Sequence, residues 1–93
     1  MKHWDIKVIG KVQGVFFRAS TKAVADQLNV KGFVMNKPDG SVYIEAEGDN
    51  FGLDALMEFC QEGPENSEVT HVECKESDQL NGFKNFEIIK KIK

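Results

Sequence analysis

The 93-residue sequence has no long apolar run and no excess of basic residues, and it contains only two cysteines. Its unbroken apolar segments are short, as at residues 15–17, so none of them can span a bilayer. The first five residues, Met-Lys-His-Trp-Asp, form no apolar stretch of the kind that a secretory signal requires. We therefore expect a cytoplasmic protein with no membrane partner. The length leaves room for a single domain, residues 1–93.

The scarcity of cysteine limits the redox and metal chemistry that the chain can support. Cys60 and Cys74 both fall at apolar positions of their segments, which predicts two buried thiols in a reduced compartment. A zinc site would need at least two further ligands, and His3 and His71 do not supply them at metal-type spacing. We expect His3 at a frayed terminus, His71 on a solvent-facing strand position, and no metal.

The charge of the chain also argues against a nucleic-acid partner. A net charge of −3 argues against a duplex-binding module, which usually carries a basic face. Arginine is scarcer still than cysteine, because Arg18 stands alone against eleven lysines. Where lysine supplies general surface charge, a single arginine hints at a place that uses its planar fork of donors.

The first half of the chain has the apolar periodicities of a strand, a helix and a hairpin. Alternation over residues 6–12 predicts a strand, and the apolar spacing over residues 17–28 predicts a helix with one buried face. Residues 32–36 and 42–47 predict the two strands of a hairpin. The segment Lys-Pro-Asp-Gly at 37–40 joins them, because proline presets φ and glycine accepts a positive φ.

The second half predicts one more helix and two strands. The helix begins at Asp49 or Asn50, either of which can cap it, and a Gly-Pro pair ends it. Residues 67–75 predict a strand, and residues 86–92 predict a short extra C-terminal strand. The order β-α-β-β-α-β is that of an α+β, ferredoxin-like fold with two helices packed on one face of an antiparallel sheet.

An anion-binding site is predicted where the first strand meets the first helix. Backbone amides between Gly14 and Arg18 are unpaired by the helix and lie at the positive end of its dipole. Gly14 allows a sharp turn and a close approach to a ligand, and the Arg18 guanidinium can hold two phosphate oxygens. An ordinary tight turn with a surface arginine fits this segment equally well when it is taken alone.

Two longer patterns resemble the signatures of the acylphosphatase family. The first is Val-Ile-Gly-Lys-Val-Gln-Gly-Val-Phe-Phe-Arg at residues 8–18, and the second is Gly-Phe-Val-Met-Asn at 32–36, followed by Gly40, Val42 and Gly48. Every fixed position of both patterns is matched, in the right order and separation. One departure lies outside them, because many members carry an arginine shortly after the Phe-x-Ile of the last strand, where this chain has Ile89.

The resemblance implies hydrolysis of the carboxyl–phosphate bond of acyl phosphates without metal or cofactor, with inorganic phosphate as product and competitive inhibitor. It also assigns the site residues. Arg18 matches the phosphate-binding arginine, Asn36 matches the asparagine that holds the attacking water, and the phosphate cradle matches the backbone amides of Gly14, Val15, Phe16, Phe17 and Arg18. We expect the Phe16 and Phe17 side chains to lie in the core or to anchor the loop. No spare apolar stripe remains, so we expect a monomer.

The residue types agree with this reaction. An acyl phosphate leaves as a carboxylate with a pKa of about 4, so the absence of a marked general acid is no obstacle. Phosphoryl transfer requires chiefly positioning and charge stabilisation. The neutral amide of Asn36 can orient water but cannot deprotonate it, so we expect the proton to pass to a phosphate oxygen of the substrate. Without the family pattern, Asn36 is more simply interpreted as a residue that bonds the backbone of the following turn.

Two alternatives remain open. A nucleic-acid-binding module on the same fold would present stacked aromatic residues, whereas the exposed strand positions here form a mixed, partly acidic set: Lys7, Lys11, Tyr43, Glu45 and Glu47. A non-hydrolytic module that binds acyl or carbamoyl phosphate is the other, because acylphosphatase-like domains also occur in larger proteins. The short chain favours the free-standing enzyme.

Overall fold

The computed structural model describes residues 1–90. In this part of the chain the elements follow in the order β1 (Lys2–Lys11), α1 (Phe17–Gln27), β2 (Lys31–Asn36), β3 (Val42–Gly48), α2 (Asn50–Glu62), β4 (Glu68–Ser77) and β5 (Phe86–Ile89). The predicted order is confirmed. The last two residues of the predicted final strand, 91 and 92, lie outside the described residues. No helix among the described residues has the length and apolar character needed to cross a bilayer.

The strands form one five-stranded sheet in the order β4-β1-β3-β2-β5. The β1–β3, β1–β4 and β2–β3 pairs are antiparallel, as predicted. β5 instead lies parallel to β2, so the sheet is mixed. The reason is the connection from β4, which crosses the open face of the sheet to the opposite edge instead of turning back in a hairpin. The ferredoxin-like α+β fold itself is confirmed.

Both helices pack on one face of the sheet and bury the core there. Ile6, Val8 and Ile44 project from the central strands and are fully buried, together with Phe17 of α1 and Leu53 of α2. The strand residues are two apart, so they share a face, as the sequence alternation requires. The core therefore fixes the start of α1, and with it the turn that precedes this helix, against the sheet.

The caps of α2 agree with the sequence prediction. Asp49 occupies the N-cap, and its side-chain oxygen accepts a hydrogen bond from the backbone N–H of Gly52 at 2.7 Å. Gly63 at the other end has a φ of +75°, a conformation that glycine adopts without steric cost. These local signals end the helix where the sequence predicts.

The sequence predictions for Cys74 and His3 are wrong. Cys60 is buried as expected, but Cys74 is exposed, because it lies on the edge strand β4 where the core ends. His3 does not lie at a frayed terminus. It belongs to β1, which extends to Lys2 through pairing with β3, and its side chain is buried on the open face of the sheet.

His3 lies between carboxylates that tie a loop to the open face. Its Nδ1 is 2.7 Å from Glu47 Oε2, and its Nε2 is 2.7 Å from Asp5 Oδ1. The backbone N–H groups of Asn81 and Gly82 donate to the Glu47 carboxylate, which holds the connection to β5. Burial opposes the charged imidazolium, but the hydrogen bonds to Glu47 and Asp5 outweigh it and raise the pKa of His3 above 6.5. Because both ring nitrogens face carboxylates, the protonated form fits this geometry.

We expect the fold to lose stability as the pH rises past neutrality. The pKa of His3 is raised in the folded state, so its contribution is complete below about pH 6.5 and disappears as the pH rises through the raised value. Urea melts of the wild type should give a lower free energy of unfolding at about pH 8.5 than at about pH 6. The difference should shrink in His3→Gln and persist in the control His71→Gln, which alters an exposed histidine. Equal stability of the wild type at the two pH values would contradict the role of His3.

Candidate active site

A cavity of about 360 Å³ opens where the start of α1 meets the ends of β2 and β5. Its lining comprises Val12, Gly14, Phe16, Phe17, Arg18, Ala19, Asn36, Ile88 and Lys90. The lining residues in the described part of the chain include two cations, Arg18 and Lys90, and no carboxylate. A cavity lined by one sign of charge favours an anionic ligand.

Strand register brings β2 and β5 side chains to this cavity together. Val34 pairs with Ile88 in the parallel β2–β5 ladder, and Val34 is fully buried on the helix-covered face. Side chains two residues apart on a strand share a face, so Asn36 lies on the same face at the end of β2. Continuing the register by two residues places Lys90 beside Asn36, and both line the cavity.

The segment before α1 has the backbone shape of an anion cradle. Gly14 has a φ of +74° and Phe16 a φ of +61°, so left-handed residues alternate along the turn. Such alternation points successive N–H groups toward one side, which is the geometry of a backbone anion nest. Phe16 is the N-cap of α1 and its side chain makes no cap hydrogen bond, so no N-cap side chain competes for the first-turn amides.

The residues predicted for the cradle do not all line the cavity. Gly14, Phe16, Phe17 and Arg18 line the cavity, whereas Val15 does not and packs partly buried against the core. Phe17 is a core residue with 1% of its surface exposed, as predicted. Phe16 is 83% exposed, so the expectation of a core or loop-anchoring side chain is wrong for it. The left-handed turn at Phe16 directs its ring away from the core that receives Phe17.

Arg18 lies in the first turn of α1 with a half-buried side chain. Among residues 1–90 it forms no ion pair with a carboxylate, whereas Lys2, Lys7 and Lys22 each do. Its planar fork of donors therefore remains available for a bidentate contact with an anion at the cradle. This is the placement that the sequence predicts for the single arginine.

Asn36 contributes a polar atom that the surrounding protein does not satisfy. Its Oδ1 is buried and accepts no hydrogen bond from any described residue. The following turn does not use it, because Lys37 N–H donates to Ser41 O at 2.9 Å and Gly40 N–H donates to Lys37 O at 3.1 Å. Unpaired buried acceptors are costly, and Asn36 lines the cavity, so a ligand or water that enters there can supply the missing donor.

Four lining residues and the side chain of Gln13 are not predicted from the sequence; the four are Val12, Ala19, Ile88 and Lys90. Lys90 had no signal in local periodicity, because its place at the cavity follows from the register of β5 against β2 alone. The signal for Ile88 was absent, because the parallel pairing of β5 with β2 cannot be read from local periodicity. Gln13 lies within the first signature, but its partners are distant in sequence.

Two other polar clusters of the described chain form contacts among their own side chains. A groove of about 380 Å³ on the open face contains Lys7 and Asp39, which pair at 3.1 Å. His3, Asp5 and Glu45 could present three metal-ligating atoms within 4.8 Å of one another. Both ring nitrogens of His3 already contact carboxylates, and neither cluster contains a buried atom comparable to Asn36 Oδ1, which has no partner among the described residues.

The sequence and the fold were both compared with those of known proteins. A protein-family model described as Acylphosphatase matches residues 4–88. An acylphosphatase of Marinobacter nauticus is 45% identical over 86 residues, which cover 92% of this chain and 94% of that protein. The crystal structure of the Bacillus subtilis acylphosphatase matches with a TM-score of 0.94 at 38% identity, covering 96% of this chain and 99% of that one. Full-length HypF in its phosphate- and nucleotide-bound form matches with a TM-score of 0.83 at 29% identity; the match covers 96% of this chain but only 12% of HypF.

Proposed function

The chain is an enzyme of the acylphosphatase family, and we propose that it hydrolyses the carboxyl–phosphate bond of acyl phosphates without a metal ion or cofactor. The observation that carries the proposed mechanism is the buried, unpaired Oδ1 of Asn36, a residue that lines the same cavity as Arg18 and the start of α1. One wall of this cavity can hold an anion, and the other can orient a water molecule. The family membership and the arrangement of the cavity are two separate observations, and both support the proposed hydrolysis.

In the proposed mechanism the phosphoryl group lies in the cradle at residues 14–18. The backbone amides and the Arg18 guanidinium bind its oxygens and stabilise the charge that develops in the transition state. Lys90 adds positive charge at the cavity wall. Because phosphoryl transfer depends mainly on position and electrostatics, these groups supply most of what the reaction requires.

Asn36 completes the site by orienting the nucleophile. Its Oδ1 accepts a hydrogen bond from a water molecule, whose lone pair then points at phosphorus. The water oxygen forms a bond to phosphorus as the bond from phosphorus to the acyl oxygen breaks, and the bonding electrons leave with the carboxylate. One water proton passes to a phosphate oxygen of the substrate, since a neutral amide cannot take it. The products are a carboxylate and inorganic phosphate, and the latter should inhibit competitively.

We expect the enzyme to discriminate strongly by leaving group. A carboxylate leaves without protonation, whereas an aryl or alkyl oxygen is a poorer leaving group that benefits from an acid, typically by about 10²-fold or more. Turnover of p-nitrophenyl phosphate should therefore be at least about 10²-fold below that of benzoyl phosphate. Both rates should be measured with and without EDTA, and EDTA should not lower the benzoyl phosphate rate. Comparable rates on the two substrates would reveal an unrecognised acid, and loss with EDTA would reveal a metal ion.

A non-hydrolytic module that binds acyl or carbamoyl phosphate is the second candidate. The likeness to a small part of full-length HypF favours it, because this fold also occurs within a much longer protein. Such a module would bind inorganic phosphate and benzoyl phosphate but would not turn benzoyl phosphate over. A single hydrolysis assay therefore distinguishes the two functions.

The open face of the sheet does not favour the nucleic-acid alternative. Phe33 and Tyr43 lie there with ring centroids 6.0 Å apart, but Phe83 packs edge-on against Phe33 at 5.8 Å. Asp5 and Glu45 lie on the same face, so phosphate would meet like charge. We expect no shift of single-stranded RNA in a gel at physiological salt.

We further propose that the protein acts as a monomer in the cytoplasm. Both cysteines are free thiols, which suits a reducing compartment. Among residues 1–90, the large apolar side chains that are exposed come from separate segments of the chain: Met1, Phe16, Phe51 and Leu80. Sedimentation equilibrium should give the mass of one 10.5 kDa chain.

A further inference from the structure

Gln13 bridges two segments that meet at the site. Its Nε2 donates one hydrogen bond to Lys37 O at 2.8 Å and another to Ser41 O at 2.9 Å. A carboxamide has two N–H donors, and here both bind backbone carbonyls of a single turn. The side chain is half-buried, so solvent competes with these bonds only in part.

The two carbonyls belong to a turn that is already closed by its own hydrogen bonds. Lys37 N–H donates to Ser41 O at 2.9 Å, and Gly40 N–H donates to Lys37 O at 3.1 Å. These hydrogen bonds hold the turn to the end of β2. Asn36 directly precedes Lys37, and Gly14 directly follows Gln13. The bridge thus joins the neighbour of the water-orienting residue to the neighbour of the cradle.

We propose that Gln13 is a positioning residue that fixes the distance between the Asn36 carboxamide and the phosphate cradle. This inference rests on the proposed function of the site. Gln13 acts through Asn36 and contacts neither phosphate nor water in this scheme. Its loss leaves the amides at 14–18 and Arg18 in place, so phosphate binding is retained while the alignment of the attacking water is lost.

The size of the effect follows from the sensitivity of the reaction to geometry. A misplacement of about 1 Å between reacting groups can cost about 10²-fold in rate. Gln13→Met keeps the length of the side chain and removes both donors. We expect it to lower kcat on benzoyl phosphate by about 10-fold to 10²-fold and to change the inhibition constant of inorganic phosphate by less than about 3-fold. The matched control Gln61→Met, at an exposed position on α2, should retain the wild-type constants.

A double variant separates positioning from a merely structural role. If Gln13 acts through Asn36, Gln13→Met should lower kcat by less than about 3-fold further when Asn36→Ala is already present. A structural role would multiply the two losses instead. Gln13→Asn, which keeps the carboxamide but is one methylene shorter, should show an intermediate loss of kcat, and it carries the test if Gln13→Met does not fold.

Three results would overturn the inference: wild-type kcat in Gln13→Met, a rise in the phosphate inhibition constant that matches the loss of kcat, or fully multiplicative losses in the double variant. Absence of benzoyl phosphate hydrolysis by the wild type is a different outcome. It would refute the proposed function of the whole site and, with it, the positioning role of Gln13.

Discussion

Asn36→Ala should lose about 10²-fold or more in kcat on benzoyl phosphate while it binds inorganic phosphate nearly as well as the wild type. Removing an oriented polar group at a reaction centre costs about this much. The amides of the proposed phosphate cradle and Arg18 lie on a different segment, so the inhibition constant of phosphate should stay within about 3-fold. The measurement is steady-state kinetics with phosphate as the inhibitor.

The same variant should not lose stability, and this separates the catalytic role from a structural one. The Oδ1 of Asn36 is buried without a partner among residues 1–90, and an unsatisfied buried acceptor costs about 1–3 kcal/mol. Its removal should leave the free energy of unfolding unchanged or raise it by about 1 kcal/mol in a urea melt. Asn50→Ala, at an exposed position in the first turn of α2, is the matched control and should keep full activity. Retained turnover in Asn36→Ala would show that another group orients the water.

The fold was predictable because its elements have clear local signals. Alternation marked the central strands, and Asp49 and the Gly-Pro pair marked the ends of α2, so order and packing faces followed from patterns within about ten residues. The direction of β5 was not predictable in this way. It depends on a crossing of the open face that is held by Glu47 and His3, two residues far from β5 in the sequence.

The site residues that belong to a sequence motif were predictable. Those that reach the site only through tertiary contacts were not. Arg18 and Asn36 stand in the two signatures, and the structure brings both to one cavity. Lys90 and the Gln13 bridge depend on which strands and turns become neighbours. An apolar residue such as Phe16 is expected to be buried, whereas its left-handed backbone leaves the ring outside the core.

Arg18→Lys should abolish most of the activity although it keeps the positive charge. Arg18 can form two parallel hydrogen bonds to phosphate oxygens, whereas a lysine ammonium offers one compact point charge. If charge alone mattered, lysine would nearly suffice. If the bidentate contact sets where phosphorus lies relative to the water at Asn36, a small displacement should lower kcat/KM by about 10²-fold.

A third variant divides the loss between charge and geometry. Arg18→Met removes both, so an equal loss in Arg18→Lys and Arg18→Met would assign the effect to the planar fork. The side chain is half-buried at the start of α1 and forms no ion pair within residues 1–90, so stability should change by less than about 1 kcal/mol in either variant. The measurements are kcat/KM on benzoyl phosphate and a urea melt for each protein. Near-wild-type kinetics in Arg18→Lys, with the loss confined to Arg18→Met, would replace the bidentate model with one in which the cradle needs only a cation.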